Sequence, residues 1–140
     1  MEQLISARVT TDVITVEMFN GEIANLATGA IVTFSGVVRN HDHGRDVSSL
    51  EYEAHPDAQT ILLKVANEIA AKYSVQAVCV AHRHGLIPMG ESALIAVVSS
   101  AHRQDAFAAC SELVDEVKNQ IPIWKHQVFV DGTDEWVNSA

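Results

Sequence analysis

The sequence predicts an α+β sandwich in which helices lie over a sheet. Two strand–helix–strand passages, around helices expected at 57–73 and 102–119, carry that expectation. The β-branched runs AIVTFSGVV and ALIAVVSS supply strands, and apolar residues at helical spacing supply the helices. At 140 residues the chain is expected to form one domain, 1–140, with a core that needs no disulfide. This reading leaves the strand order open.

Leu4 to Thr10 reads as a first strand. Val16, Phe19, Ile23 and Leu26 fall on one face of a short helix over 13–26, although Gly21 interrupts it. Ala30 to Arg39 is the next strand, and Gly36 in its middle points to a bulge or a close backbone approach. NHDHGRD, 40–46, is polar and contains Gly44, so it is expected to be a loop with nothing in it that can pack. Val47 to His55 alternates, with Leu50, Tyr52 and Ala54 on one face and Glu51, Glu53 and His55 on the other. Pro56 then sits at a helix start, where its missing N–H costs little. From about Asp57 to Tyr73, Ile61, Leu62, Val65, Ile69 and Tyr73 form an apolar stripe.

Val75 to His84 is a third long strand, ended by Gly85, and Ser92 to Ser100 is a fourth. Ser100 suits the N-cap of a helix whose Phe107, Cys110, Leu113, Val114 and Val117 face inward. Pro122 stops that helix. Ile121 to Val130 is a fifth strand, followed by a short tail, 133–140, that holds Trp136.

The composition narrows the function. A formal charge of −9 with no basic stripe argues against nucleic acid. No apolar run approaches the roughly 20 residues of a membrane helix, and the start lacks an export signal, so the cytoplasm is expected. Cys79 and Cys110 stand apart in apolar surroundings and read as small core residues, not as a disulfide framework.

Against this acidic background the cations are concentrated. His102 and Arg103 open one helix, Lys118 closes it, and Lys125 lies just beyond. Cations at a helix N-terminus oppose its dipole, a placement that a bound anion would explain. Arg39 ends a strand, where it can grip a phosphate in two-pronged fashion or simply pair with Asp42 or Asp46. Lys118 is comfortable at a helix C-terminus for structural reasons alone. Lys125 shares a face with Ile121 and Ile123; an amine against an apolar wall is suited to acid, base or nucleophilic work, or else snorkels outward.

A helix rises about 1.5 Å per residue, so His102–Arg103 and Lys118 stand about 22 Å apart along its axis. If all serve one small ligand, two chains must contribute opposite helix ends, most simply as a two-fold dimer. The histidine pairs His41/His43 and His82/His84 lack the carboxylate or Cys partners that complete a zinc site, and no metal is expected.

Taken together, GAIVTFSGVVRNHDHG, LEYEAHP, HRHGLIPMGE, SSAHR and IPIWKHQ, in that order, resemble the large, catalytic subunits of molybdopterin synthase over about Gly29 to Trp136. The resemblance implies an α/β hammerhead fold, a mixed or antiparallel sheet packed by helices, with an added small antiparallel sheet. It implies a homodimer at the centre of a heterotetramer, with a small ubiquitin-like sulfur-carrier subunit at each end. That partner's C-terminal Gly-Gly thiocarboxylate would donate sulfur to cyclic pyranopterin monophosphate, twice, to build the dithiolene of molybdopterin. Lys118 would be the central catalytic residue, assisted by Lys125, with Arg39, His102 and Arg103 binding substrate. Val37, Val38, His126 and Gln127 would join them as substrate contacts; Val37 stands where related chains often carry Lys, and His126–Gln127 where Arg–Glu is common. No cofactor is implied, and no nucleophilic Cys is required, because sulfur arrives on the partner. Two other readings remain at this point: a non-catalytic domain of the same fold that binds a protein tail or anion, and a small histidine-based metal-binding protein.

Overall fold

A computed structural model describes residues 2–23 and 25–138. Among them the strands form two sheets. The first has the order β1 (Leu4–Thr10), β5 (Ala77–Arg83), β7 (Ser92–Ser100), β2 (Ala30–Val37). β1 runs parallel to β5, and the other pairs are antiparallel. The second sheet has the order β3 (His41–Asp42), β4 (Arg45–Ala54), β8 (Ile123–Phe129), β9 (Asp134–Asn138), with β6 (Gly85–Leu86) also paired to β4. This is the expected α+β sandwich with its additional antiparallel sheet.

Helices α2 (Ala58–Lys72) and α3 (Arg103–Gln120) pack on one face of the first sheet and on each other. The apolar stripe explains why: Leu62, Val65 and Ile69 of α2 and Leu113 and Val117 of α3 bury against Val78, Val80, Ala96 and Val98. Leu50 and Tyr52 of β4 and Ile123 of β8 join the same core, which welds the second sheet to the first. Ile14, Phe19 and Ile23 cover the opposite face over Cys79, Ala81, Ile95 and Val97. β5 is therefore buried on both faces, as its unbroken apolar run requires.

Several expectations need correction. The helix read over 13–26 is only a 3₁₀ turn, Val16–Phe19, and one α turn, α1 (Asn20–Ile23). Phe19 and Ile23 are buried, but Val16 and Leu26 face solvent, so the periodicity served two anchors and no full stripe. The strand from Ala30 ends at Val37, and its register shifts between Gly36 and Val37, the bulge anticipated at Gly36.

The loop read over 40–46 is a tight hairpin between β3 and β4, turning through His43 (φ 53°) and Gly44 (φ 74°). Two consecutive left-handed residues make the kind of turn that matches strand twist. Phe107, expected inside, is 61% exposed, while Ala106 and Ala109 take the inward positions. The N-cap of α3 is His102, two residues beyond Ser100, whose hydroxyl donates to the His102 carbonyl. The tail expected from Thr133 is strand β9, with Trp136 stacked on His126 at 4.3 Å and 11°. Residues 139–140 of that tail lie outside the described residues.

Gly29 has a steric role: a Cβ there would sit 2.1 Å from the Ala101 carbonyl oxygen. The close approach lets the Gly29 N–H donate to the Ser100 carbonyl at 3.0 Å, closing the end of β2 against β7. None of the helices formed by the described residues is long and apolar enough to cross a membrane.

Candidate functional site

A cavity of about 290 Å³ opens where the two sheets meet the C-terminal end of α3. Three pieces of chain build it. The bulge at the end of β2 presents Val37, Val38 and Arg39; β4 and β8 contribute Tyr52, Lys125 and Gln127; β5 and α3 close it with His82 and Lys118. Val38 is pinned on both sides, its N–H donating to the Glu91 carbonyl and its carbonyl accepting from Gly90. The buried Arg83 guanidinium donates to Glu91 at 2.6 Å, bracing the same turn.

The alternation of β8 decides which of its side chains reach the cavity. Ile123, Lys125 and Gln127 share the inward face, and Lys125 lies across from Tyr52 in the register of β4 with β8. His126 points the other way. It stacks on Trp136 and bonds Asp134 through Nε2 at 2.8 Å, outside the cavity wall.

Asp42 is the hub of the polar rim. Its carboxylate accepts from Gln127 at 2.7 Å and from Arg39 at 3.3 Å, with His43 at 3.6 Å. Gln127 also donates to Glu135 at 2.8 Å. The Gln127 hydrogen bond, then the charges of Lys125 and His43 and the Arg39 contact, hold the Asp42 carboxyl below its ordinary value. Arg39 is only partly engaged, its side chain being 67% exposed. Lys118 and Lys125 take part in none of the ion pairs among the described residues.

Within one chain, then, Arg39, Lys118, Lys125, Val37, Val38 and Gln127 line one cavity. His102 and Arg103 do not reach it, since they lie at the opposite end of α3 and are exposed. Sequence reasoning missed Asp42, Tyr52 and His82 as wall residues. Tyr52 was visible as an inward residue of an alternating strand, but nothing local signalled that Asp42 would meet Gln127, 85 positions away.

Both cysteines are free and buried. Burial pushes the Cys79 thiol up to about 12 and Cys110 to about 11, so both stay protonated near neutral pH. As for metals, Asp42, His43 and Glu135 offer ligand atoms within 4.8 Å of one another, whereas His41, His82 and His84 are not part of that group. The Gln127 amide already donates to both of its carboxylates.

Residues 9–120 match the model of the MoaE protein family. The chain belongs to that family. The MoaE match ends before Lys125, so β8 and β9 rest on longer comparisons. The rat molybdopterin synthase catalytic subunit is 39% identical over 121 residues, which cover 83% of this chain and 60% of the rat protein. This MoaE chain thus spans about three fifths of that relative's length. The crystal structure of molybdopterin synthase from Staphylococcus aureus superposes with a TM-score of 0.85 at 31% identity, covering 98% of both chains. A chain from the protein–protein complex of subunits 1 and 2 of molybdopterin-converting factor from Helicobacter pylori has a TM-score of 0.71. That match covers 96% of this chain and 88% of the other at 18% identity, a likeness of fold alone.

Proposed function

We propose that this MoaE chain is the cytoplasmic catalytic subunit of a molybdopterin synthase, a sulfurtransferase acting on cyclic pyranopterin monophosphate. Sulfur would come from the C-terminal thiocarboxylate of a small ubiquitin-like partner. The observation that carries the reading is the convergence of Arg39, Lys118 and Lys125 on one cavity in a chain of net charge −9. A phosphorylated pterin and a thiocarboxylate tail are both anions, and a cavity rimmed with cations favours both.

Lys118 and Lys125 have the chemistry that the transfer needs. As the thiocarboxylate sulfur forms its bond to the pterin carbon, an ammonium group can donate a proton to the departing oxygen and offset the charge that builds there. Water then cleaves the resulting thioester, leaving the sulfur on the pterin and the partner's tail as a carboxylate. Arg39 suits the phosphate, since its planar fork can bind two oxygens while Asp42 holds it at the rim. The partner reading is in keeping with the Helicobacter pylori chain of like fold, which was solved as a complex of two different subunits.

His102 and Arg103 enter this reading through a second copy of the chain. Their distance from Lys118 along α3, about 22 Å for a helix of this length, is too great for one ligand. A two-fold homodimer that brings the start of one α3 to the end of another completes the cationic ring and leaves a small subunit at each outer end.

The test is an assay of dithiolene formation with thiocarboxylated partner and the pterin. Lys118→Ala is expected to lower turnover by at least about a hundredfold while partner affinity changes little. Normal turnover in that variant overturns the catalytic reading and favours a binding domain of the same fold.

A further inference from the structure

One wall residue of the cavity has no task in the chemistry described so far. His82 closes the end of β5, is fully buried, and lies edge-on to the Tyr52 ring at 5.3 Å between centroids. Its Nδ1 is 2.8 Å from the Arg83 carbonyl oxygen, which can only accept, so Nδ1 carries the proton. Burial, reinforced by the charge of Lys118, lowers the ring's pKa to about 4, and the imidazole is neutral at neutral pH. A neutral ring protonated at Nδ1 has a bare lone pair on Nε2. That atom is buried and has no hydrogen-bond partner among the described residues.

Such an acceptor is costly to leave unmet, and native interiors rarely do so away from a binding site. The groups around it make the need specific. Arg39, Lys118 and Lys125 are donors only, and the Asp42 carboxylate is already held by Gln127 and Arg39. Gln127 Oε1, the Tyr52 hydroxyl and His41 also offer neutral acceptors in the lining, but His82 Nε2 is the one that is buried without a partner among the described residues. We propose that His82 is a substrate-recognition residue, its Nε2 taking a hydrogen bond from an N–H donor on the heterocycle bound in this cavity. The proposal rests on the functional reading above and adds a polarity to it: anion toward the cationic rim, ring N–H toward the floor. A buried acceptor left unpaired among cationic donors favours phosphates that also carry a ring N–H.

The experiment measures binding of two probes, cyclic pyranopterin monophosphate and inorganic phosphate, to the full chain by titration calorimetry. His82→Leu fills the space without an acceptor and is expected to weaken the pterin by about tenfold, leaving inorganic phosphate unchanged. His82→Gln, whose amide oxygen reaches the Nε2 position, is expected to recover most of the loss. Equal pterin affinity in wild type and His82→Leu overturns the proposal and leaves the functional reading standing. A wild-type chain that binds phosphate but not the pterin overturns both. Because a buried substitution can unfold the chain, the ¹⁵N resonance of His82 Nε2 is also followed in the wild-type protein. A shift from a bare to a hydrogen-bonded imidazole nitrogen on adding the pterin, absent on adding phosphate, supports the proposal, and an unmoved resonance overturns it.

Discussion

Gln127 and Asp42, 85 residues apart in sequence, meet at 2.7 Å on the rim of the cavity, the amide donating to the carboxylate. This bond ties the β3–β4 hairpin to β8 and sets the charge of the rim. It is also the largest reason why the Asp42 carboxyl titrates below its ordinary 3.8. A group with a depressed folded pKa stabilises the fold above its unfolded value, and that contribution disappears as pH falls through the folded value. Gln127→Leu is expected to move the Asp42 titration upward toward 3.8, as read from its side-chain carboxyl resonance by NMR.

His82 makes the protein sensitive to mild acid. The unfolded imidazole takes up a proton below about 6.5, whereas the folded ring resists until about 4. The unfolded state therefore binds more protons across that window. The stabilisation is present in full above 6.5, declines as pH falls, and is gone below about 4. Urea midpoints measured at pH 7 and pH 4.5 should fall more steeply for the wild type than for His82→Leu.

The proposed two-chain site makes a quantitative prediction about mixed chains. Lys118→Ala and Arg103→Ala should each be inactive alone. Denatured and refolded together in equal amounts, half of the dimers should pair one of each, and each such dimer holds one intact site. About a quarter of wild-type turnover is therefore expected. Activity that stays at the level of the separate mutants would falsify the shared site.

Gly29→Ala should weaken the fold without touching the cavity. Its Cβ would collide with the Ala101 carbonyl at 2.1 Å, and backbone on both sides leaves no flexible side chain to yield. A loss of about 2 kcal/mol in denaturant unfolding is expected, in line with other overpacked sites.

Much of the scaffold was legible because one face of each element is buried and the other is wet. β4 is an example: Leu50 and Tyr52 went inside and Glu51 and Glu53 outside, as alternation requires. The stripe of α2 and the bulge at Gly36 were equally plain. The hairpin at His43–Gly44 was hidden, because its turn depends on a histidine adopting φ 53°, which composition does not advertise. β9 was hidden too, since its pairing with β8 shows up locally only as Trp136 and Val137 among polar residues.

The site divided in the same way. Arg39, Lys118 and Lys125 stood out as cations in an acidic chain, and the fold gathers them round one cavity. Asp42 and His82 did not, because a carboxylate in a polar hairpin and a histidine in a strand look ordinary until their partners are known. The strand period puts His82 and His84 on one face, yet His82 is fully buried and His84 only half so.

The short connection from α3 to β8 has a consequence for how the chain can vary. Lys118 is carried by the last turn of the helix and Lys125 by the strand after it. Between them the backbone is tied down by Ile121 N–H to Val117, Ile123 N–H to Ile121 and His55 N–H to the Pro122 carbonyl. One residue added or removed there would rotate the second amine to the far side of its strand, into the position of His126 or of Trp124. The spacing of the two amines is thus locked to the pleat, whereas a residue added at the exposed turn Asp131–Thr133 lies beyond β8 and would leave both amines in place.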